Sequence, residues 1–389
     1  MKNLISQKVE IMKPSGIRAF FDLVLGMKGV ISLGVGEPDF VTPWEIREAG
    51  ITSLEQGFTS YTSNKGLVKL RLEISHYLKN TYNLNYSPED EMLITVGVSE
   101  GVDLALRAIL NPGDKILIPS PGYVSYGPMT ELAGGIAVHI DTRKDNFKLT
   151  PKNLEKNIDN KTKGIIFNYP CNPSGVSYTR KELEALKKVF LKHKILVISD
   201  EIYCDLTYDF EHTPYPCLRG AKDHTLYLNG FSKSYAMTGW RVGYACGPKD
   251  IIDAMTKIHQ YTIMCVSITS QMAACEALHS GRIAVEEMKR EYRRRREFVI
   301  KELNRIGLKC HMPQGAFYAF PSIKSTGFNC LEFSKKLLSE EKVAVVPGTA
   351  FGDELNDYIR ISYASGFENI KEALRRMELF LARHKAKKD

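Results

Sequence analysis

The sequence lacks the long apolar runs that membrane proteins need. No stretch approaches the roughly 20 uninterrupted apolar residues that a spanning helix requires. Residues 1–8 carry charge but no apolar core of the length that a secretory signal has. These two absences predict a cytoplasmic protein that does not enter a membrane.

The cysteines lack a pattern as well. Eight of them are scattered through the chain, and no two have CxxC spacing; they lie at positions 171, 204, 217, 246, 265, 275, 310 and 330. Zinc sites and disulfide frameworks are recognised by closely spaced, paired cysteines. We therefore expect reduced thiols and no metal site.

Charge of one sign is nowhere concentrated without its opposite. The net charge of +8 would suit a nucleic-acid partner, and residues 293–296 form the strongest basic run. Glutamates interleave this run at positions 286, 287, 291 and 297. Such mixing is typical of a solvated helix with ion pairs along it, so we expect no nucleic-acid partner.

What the sequence does contain is a regular alternation of short apolar runs with helical stretches. The apolar runs lie at residues 92–95, 115–118, 164–167, 195–199, 225–228 and 242–246. This order predicts an α/β fold with a mostly parallel central sheet flanked by helices. Two capping boxes, at residues 42–45 and 179–182, predict helix starts.

At 389 residues the chain is long enough for two domains. After residue 280 the pattern changes to a long charged helix, a strand-like run at 316–320 and a helix near 331–338. We predict an N-terminal arm that forms part of a small domain (1–47), a large domain (48–280) and a small α+β domain (281–389).

Polar residues follow several of the predicted strands, where open α/β sheets bind their ligands. Residues 97–101, Gly-Val-Ser-Glu-Gly, separate a strand from a helix predicted at 102–110. Backbone N–H groups and a hydroxyl there suit an anion at a helix N-terminus. An ordinary strand-to-helix turn is the alternative.

Asp200 ends the apolar run 195–199, which places a carboxylate at the mouth of a buried strand. It suits a helix N-cap, or an acid that holds the protonated ring nitrogen of a cofactor. Tyr203 and Asn172 have two readings also. Tyr203 suits core packing and Asn172 suits a turn, while both suit hydrogen bonds to a phenolic oxygen of the same cofactor.

Lys233 follows the run 225–228, and a lone lysine is usually a solvated surface residue. Its neighbours favour another role. Ser232 supplies a hydroxyl and Arg241 a cation, and both suit a phosphate. A lysine that forms an imine with an aldehyde cofactor needs such a phosphate cradle and a ring-holding acid.

Together these residues resemble the class I/II aminotransferases of fold type I, which depend on pyridoxal 5′-phosphate (PLP). The resemblance covers nearly the whole chain. Its motifs are residues 31–40, Asn-Pro-Ser-Gly at 172–175, Ser-Asp-Glu-Ile-Tyr at 199–203, SKxxxxxGWR at 232–241 and residues 358–362. It implies the fold type I architecture, with a large PLP-binding domain and a smaller α+β domain.

The resemblance implies a role for each matching position. Lys233 is the Schiff-base lysine and proton shuttle, Asp200 holds the ring nitrogen, and Asn172 and Tyr203 hold the phenolic oxygen. Tyr123 stacks on the ring. The remaining cofactor contacts, chiefly to the phosphate, are Val98, Ser99, Glu100, Ser232 and Arg241.

Arg360 matches the arginine with which the family binds the substrate α-carboxylate in a bidentate pair, and Gly36 and Asn172 assist it. Tyr61 matches a tyrosine that reaches the phosphate of a neighbouring subunit, which implies a homodimer with shared active sites. No residue matches the second arginine that dicarboxylate-specific members use. This absence favours an aromatic or broad range of substrates.

The activity implied is transfer of an amino group from an L-amino acid to a 2-oxo acid such as 2-oxoglutarate, with ping-pong kinetics. Three alternatives stay open. They are an aspartate- or N-acetyl-diaminopimelate-specific aminotransferase, a PLP-dependent carbon–sulfur β-lyase, and a PLP-sensing regulator. The regulator needs a DNA-binding module, and about thirty residues before the Leu33-Gly34 motif are too few for a three-helix unit.

Overall fold

A computed structural model of the chain describes residues 4–12, 14, 16 and 27–385. The strands among these residues are β1 (Ile31–Ser32), β2 (Met92–Thr95), β3 (Lys115–Ser120), β4 (Ile136–Asp141), β5 (Thr162–Asn168), β6 (Leu196–Asp200), β7 (Thr225–Gly230), β8 (Gly243–Cys246), β9 (Tyr318–Ala319), β10 (Val343–Ala344), β11 (Val346–Pro347) and β12 (Ile359–Ser362).

The α-helices in the same ranges are mostly amphipathic and pack on the sheets. They are α1 (Gln7–Glu10), α2 (Trp44–Glu55), α3 (Val68–Tyr82), α4 (Gly97–Ile109), α5 (Tyr126–Leu132), α6 (Pro151–Glu155), α7 (Arg180–Lys192), α8 (Lys249–Thr262), α9 (Ile268–Ser280), α10 (Arg282–Arg305), α11 (Cys330–Glu341) and α12 (Phe367–Lys385).

Seven strands form the central sheet, in the order β2-β8-β7-β6-β5-β3-β4. Every neighbouring pair is parallel except the two pairs that β8 makes, which are antiparallel. The predicted mostly parallel sheet is therefore confirmed. All six predicted runs become strands, and their bounds differ from the predicted ones by no more than two residues at either end.

The sequence pattern missed one strand of this sheet. Interior strands of a parallel sheet are covered on both faces and appear as continuous apolar runs; β7, for example, is buried at all six positions. The strand β4 lies at the sheet edge and is buried only at Ile140. Its apolar residues are interrupted by His139, and Asp141 ends the strand, so the sequence shows only a three-residue apolar run at 136–138.

One of the two predicted capping boxes is confirmed. The Thr179 hydroxyl accepts from the Glu182 N–H, and the Glu182 side chain accepts from the Thr179 N–H in return. The helix start predicted at residues 42–45 is confirmed, since α2 begins at Trp44, but the capping box itself was wrong, because no side chain caps this helix. The Thr42 hydroxyl instead donates to the Ala236 carbonyl at 2.6 Å and accepts from Trp240 Nε1 at 3.1 Å, because distant partners took up the side chain before the helix at Trp44 could.

Two small sheets lie outside the central one. The strand β1 pairs in parallel with β10, which joins the N-terminal segment to the C-terminal part of the chain as predicted. Strands β11, β12 and β9 form an antiparallel sheet, and the run expected at 316–320 is shortened to Tyr318–Ala319.

The domain boundaries at 47 and 280 stay predictions. Residue 47 lies within α2, whereas residue 280 is the last residue of α9. Parts of the predicted N-terminal arm (1–3, 13, 15 and 17–26) and the last four residues of the predicted small domain (386–389) lie outside the described residues.

The basic run at 293–296 lies on α10 and is ion-paired as predicted, but it is not solvated throughout. Arg295 and Arg296 are buried. Arg295 donates to Asp39 at 2.8 Å, and Arg296 donates to Asp209 at 2.8 Å. Half of the run therefore holds the helix against the rest of the protein. That the chain binds no nucleic acid stays a prediction.

Two kinds of feature are absent from the described ranges. No helix there is both long enough and apolar enough to cross a membrane. In the same part of the chain, no three His, Cys, Asp or Glu side chains come together in a way that could hold a metal ion.

Candidate active site

A cavity of about 340 Å³ opens where the parallel strands end. Asn168 ends β5, Asp200 ends β6, and Lys233 follows the end of β7. The carboxyl ends of parallel strands meet at one edge of a sheet, which is why residues distant in sequence converge here. Among the predicted site residues, the lining comprises Gly36, Val98, Ser99, Tyr123, Asn172, Asp200, Tyr203, Ser232, Lys233, Arg241 and Arg360.

One end of the cavity is built to receive an anion. The sequence predicted a turn at 97–101 before a helix at 102–110. The helix α4 instead begins at Gly97, shortly after β2, so Val98 and Ser99 belong to its first turn. The first N–H groups of a helix have no intrahelical acceptor and carry the positive end of its dipole. Ser232 and Arg241 face the same end.

Gly97 lets the Arg241 guanidinium lie directly against this turn. Its φ is +68°, a left-handed conformation that favours glycine, and a Cβ placed on it would lie 2.7 Å from Arg241 Nη2. Arg241 Nη1 donates to the Thr238 carbonyl at 3.0 Å, which fixes the guanidinium from the other side. The helix N-terminus and the cation therefore converge on one anion-sized space.

We expect Gly97→Ala to lower the affinity for PLP by about tenfold or more, because displacing one charged hydrogen-bond donor costs about 1.5–3 kcal/mol. Equilibrium titration of the apoprotein with PLP measures this. Gly113→Ala is the matched control: Gly113 has φ +93° but no atom within 4 Å of its would-be Cβ. An equal loss in both variants would show that backbone strain, and not Arg241, is responsible.

Asp200 is a buried carboxylate at the centre of the cavity, with 5% of its surface exposed. Burial raises the pKa of Asp200 to about 6, while hydrogen bonds from the Tyr126 hydroxyl and the Ile202 N–H oppose this rise. The Tyr126 bond is 2.6 Å long. The carboxylate is thus ionised at neutral pH. Each of its oxygens accepts one hydrogen bond and has a further lone pair, which suits a protonated ring nitrogen.

Lys233 is half-buried, and its amine donates to the Gly36 carbonyl at 2.7 Å. Burial lowers the pKa of Lys233 to about 8; Glu37 opposes this change, and Arg360 and Arg241 add to it. A lysine with a lowered pKa has a larger fraction of neutral amine near pH 7. Neutral amine is the form that attacks a carbonyl or accepts a proton.

Tyr203 and Asn172 occupy the side of the cavity between Lys233 and Arg360. The Tyr203 hydroxyl lies 2.8 Å from the Tyr318 hydroxyl, and burial raises the pKa of Tyr203, so it remains protonated. The Asn172 side-chain oxygen accepts from Arg360 at 2.9 Å. Its amide NH₂ is then left to donate into the cavity.

Arg360 is almost fully buried, with 2% of its surface exposed. Its Nη1 donates to Asn172 and its Nη2 donates to the Gly34 carbonyl at 2.5 Å. Its Nε is buried and has no partner among the described residues. A guanidinium has five N–H donors, so three stay open, enough for a bidentate carboxylate.

Two predicted cofactor residues do not line the cavity. The Glu100 carboxylate accepts from the Val96 N–H at 2.5 Å and lies 2.8 Å from His259 Nδ1, so it braces the first turn of α4 from behind. Tyr61 projects outward with 81% of its surface exposed. Their predicted roles stay predictions.

Sequence reasoning did not assign a role to several lining residues. They are Val102, Tyr126, Met129, Asn168, Ile202, Thr238 and Tyr318. Asn168, Ile202 and Tyr126 stood inside or beside motifs already noted, so proximity to a strand end was a usable signal. Tyr318 carried no such signal, because its neighbours in sequence only indicated a strand.

The arrangement fits PLP, the cofactor implied by the resemblance. The N-terminal turn of α4 with Ser232 and Arg241 suits the phosphate, Asp200 suits the ring nitrogen, and Lys233 suits the aldehyde carbon. The unpartnered Nε of Arg360 shows that a further acceptor is required beside this group, which suits the carboxylate of an amino acid.

Comparison with known proteins agrees with this geometry. The family model for aminotransferase class I and II matches residues 28–377. A putative aminotransferase of Bacillus subtilis is 53% identical over 382 residues, which are 98% of this chain and 99% of the relative. An aspartate aminotransferase of Pyrococcus abyssi is 44% identical over 98% of this chain and 99% of its own. The crystal structure of an aromatic aminotransferase from Pyrococcus horikoshii superposes with a TM-score of 0.90 at 42% identity, covering 95% of this chain and 99% of that one.

Proposed function

The chain belongs to the class I and II aminotransferases, and from this premise we propose that its preferred amino donors are L-amino acids with aromatic or other uncharged side chains. The family membership makes the chain a PLP-dependent aminotransferase of fold type I, as its motifs predicted. What the proposal adds is the substrate class. It also assigns 2-oxoglutarate as an acceptor that the enzyme can use.

The observation that carries this proposal is the set of cations in the cavity. Among the described lining residues only Lys233, Arg241 and Arg360 are cationic. Arg241 faces the anion site, Lys233 the reacting carbon and Arg360 the α-carboxylate. A second substrate carboxylate would meet no further cation of the same subunit there, and burying an unpaired charge is costly. The aromatic rings of Tyr123, Tyr126, Tyr203 and Tyr318 instead offer an apolar lining.

The polar residues singled out above each have a task in transamination. When bound, PLP supplies an electrophilic carbon and a ring that delocalises the electron pair left after proton removal. Arg360 binds the α-carboxylate through its open donors and so orients the Cα–H bond. Lys233 Nζ, whose lowered pKa favours the neutral amine, would accept the proton from the substrate Cα and donate it back during the reaction.

The carboxylate of Asp200 would keep the ring nitrogen of bound PLP protonated. The hydroxyl of Tyr126 donates to that carboxylate and holds it in place. Tyr203 and Asn172 donate hydrogen bonds toward the phenolic oxygen. The same residues serve both half-reactions, because an amino acid and a 2-oxo acid bind in turn to one site. Ping-pong kinetics follow from this alternation.

We expect kcat/KM for phenylalanine and tyrosine to exceed that for aspartate by about tenfold or more, since a missing charged hydrogen bond costs about 1.5–3 kcal/mol. The assay uses 2-oxoglutarate at saturation and follows each donor in turn. The KM for 2-oxoglutarate should itself be high, because its second carboxylate also lacks a cationic partner. A preference for aspartate would overturn the proposed substrate class, and release of pyruvate and thiol from cystathionine as the main activity would identify a β-lyase instead.

We also propose that the protein is a homodimer with shared active sites. Large apolar side chains are exposed on neighbouring elements around Tyr61, among them Val41, Trp44, Leu54, Tyr261 and Met264. Asn64 donates to the Met264 carbonyl at 2.8 Å, which brings two of these segments together. An apolar surface of this kind marks a protein interface. Sedimentation of the holoenzyme as a monomer at micromolar concentration would contradict this.

We propose a cytoplasmic location on the state of the thiols. All eight cysteines are free, and six of them are buried in the protein interior. Free thiols in this number are typical of a reducing compartment. Cell fractionation tests the location, and recovery of the protein outside the cytoplasmic fraction would contradict it.

A further inference from the structure

Tyr318, on β9, is completely buried and forms part of the cavity wall. Its ring lies against Arg360, with 4.5 Å between the guanidinium carbon and the ring centroid. Its hydroxyl lies 2.8 Å from the Tyr203 hydroxyl and 3.4 Å from the Gly36 carbonyl. One side chain thus contacts both the carboxylate-binding arginine and the residues beside Lys233.

The ring of Tyr318 acts on the orientation of Arg360. On another side the guanidinium carbon lies 5.1 Å from the centroid of Phe351. In the described part of the chain no carboxylate forms an ion pair with Arg360, so this buried cation depends on aromatic faces and two hydrogen bonds. These contacts fix the plane of the guanidinium and leave its open donors on the cavity side.

The hydroxyl of Tyr318 acts on the other side of the cavity. Either hydroxyl can donate in the 2.8 Å contact between Tyr318 and Tyr203. The Gly36 carbonyl, the other acceptor for Tyr318, is 3.4 Å away and already accepts from Lys233 at 2.7 Å, so Tyr203 is the better acceptor. When Tyr318 donates its hydrogen to Tyr203, the hydrogen of Tyr203 is free to point into the cavity. A Cβ on Gly36 would lie 2.8 Å from this hydroxyl, so the absence of a side chain at Gly36 makes the arrangement possible.

We propose that Tyr318 is a positioning residue with two separable roles. Its ring orients Arg360 for the substrate carboxylate, and its hydroxyl directs the hydroxyl hydrogen of Tyr203 toward the cofactor. The inference rests on the proposed function, because it assumes that Arg360 binds the α-carboxylate and that Tyr203 faces the phenolic oxygen.

The two roles are separated by comparing Tyr318→Phe with Tyr318→Leu in the holoenzyme. The probe for Arg360 is 3-phenylpropionate, which carries a carboxylate but no amino group to react, and its Kd is read from the change in visible absorbance. We expect Tyr318→Phe to keep this Kd and the KM for phenylalanine within about twofold, while kcat falls about tenfold, the equivalent of one hydrogen bond. Tyr318→Leu should weaken 3-phenylpropionate about tenfold as well.

Tyr363→Phe is the matched control. Tyr363 is an equally buried tyrosine whose hydroxyl donates to the Ala316 carbonyl at 3.1 Å, and it does not line the cavity. It should leave Kd, KM and kcat unchanged. The expected pattern is a Kd for 3-phenylpropionate that is retained in Tyr318→Phe and weakened in Tyr318→Leu. A general loss of stability would not produce it, and thermal denaturation of each variant measures that loss in parallel.

Two results overturn the role of the ring. One is an unchanged Kd for 3-phenylpropionate in Tyr318→Leu, and the other is an equally weakened Kd in Tyr318→Phe and Tyr318→Leu. An unchanged kcat in Tyr318→Phe would overturn the role of the hydroxyl. Arg360→Ala in the same titration separates the two levels of the argument. If it leaves the Kd unchanged, the proposed carboxylate role fails; if it weakens binding while Tyr318→Leu does not, only the role of Tyr318 fails.

Discussion

Replacing Lys233 with alanine is expected to remove the visible absorbance that PLP has when bound to a lysine and to lower turnover by about 10⁴-fold. The amine lies in the cavity beside the Gly36 carbonyl, and burial lowers its pKa to about 8. No other lysine lines the described cavity. The visible spectrum after addition of PLP and steady-state rates with a saturating donor measure the two effects.

Lys222→Ala is the control for this experiment. Lys222 is also partly buried and ion-paired, with its amine 2.8 Å from Glu91, but it lies away from the cavity. It should retain the spectrum and the rate. If Lys233→Ala retains both, another lysine carries the cofactor and the assignment of Lys233 is wrong.

Replacing Arg360 with alanine is expected to weaken amino-acid binding by about 30-fold to several thousand-fold, because losing one partner of a buried charge pair costs about 2–5 kcal/mol. Cofactor content should be unchanged, since Val98, Ser99 and Arg241 lie at the other end of the cavity. KM values for phenylalanine and for 2-oxoglutarate report the first effect. The absorbance of the purified variant reports the second.

Arg360→Lys separates charge from geometry. Lysine keeps a cation but lacks the planar fork that binds both carboxylate oxygens, and it cannot stack on Tyr318 in the same way. We expect this variant to fall between the wild type and Arg360→Ala. Unchanged substrate affinity in both variants would remove Arg360 from the carboxylate role and would require another cation for it.

Three of the residues that the sequence identified correctly as cavity-lining share one property. Asp200 ends a buried strand, and Val98 and Lys233 stand close after buried strands; such strands are visible as apolar runs. A residue that ends or follows a parallel strand is predicted to lie at the carboxyl ends of the strands, where the cavity opens. Local pattern was therefore sufficient to bring these side chains to one cavity.

Where the pattern failed, contacts distant in sequence had decided the structure. Thr42 has the residue type of a helix cap but bonds to Ala236 and Trp240, nearly two hundred residues away. Arg295 and Arg296 stand in a basic run that suggested a solvated helix, yet they are buried against Asp39 and Asp209. The strand β4 was missed because it lies at the edge of the sheet, is largely accessible to solvent, and has polar residues where interior strands have apolar ones.

The sequence by itself determined the family, the α/β architecture and most of the polar residues that line the cavity, because these depend on periodicity and on motifs of a few adjacent residues. Only the tertiary structure decided how those groups are held. Tyr126 meets Asp200 across 74 positions, and Arg360 meets Asn172 across 188. Such partners are set by the packing of whole elements, so the orientation of Arg360 by Tyr318 and the lowered pKa of Lys233 could be found only in the folded chain.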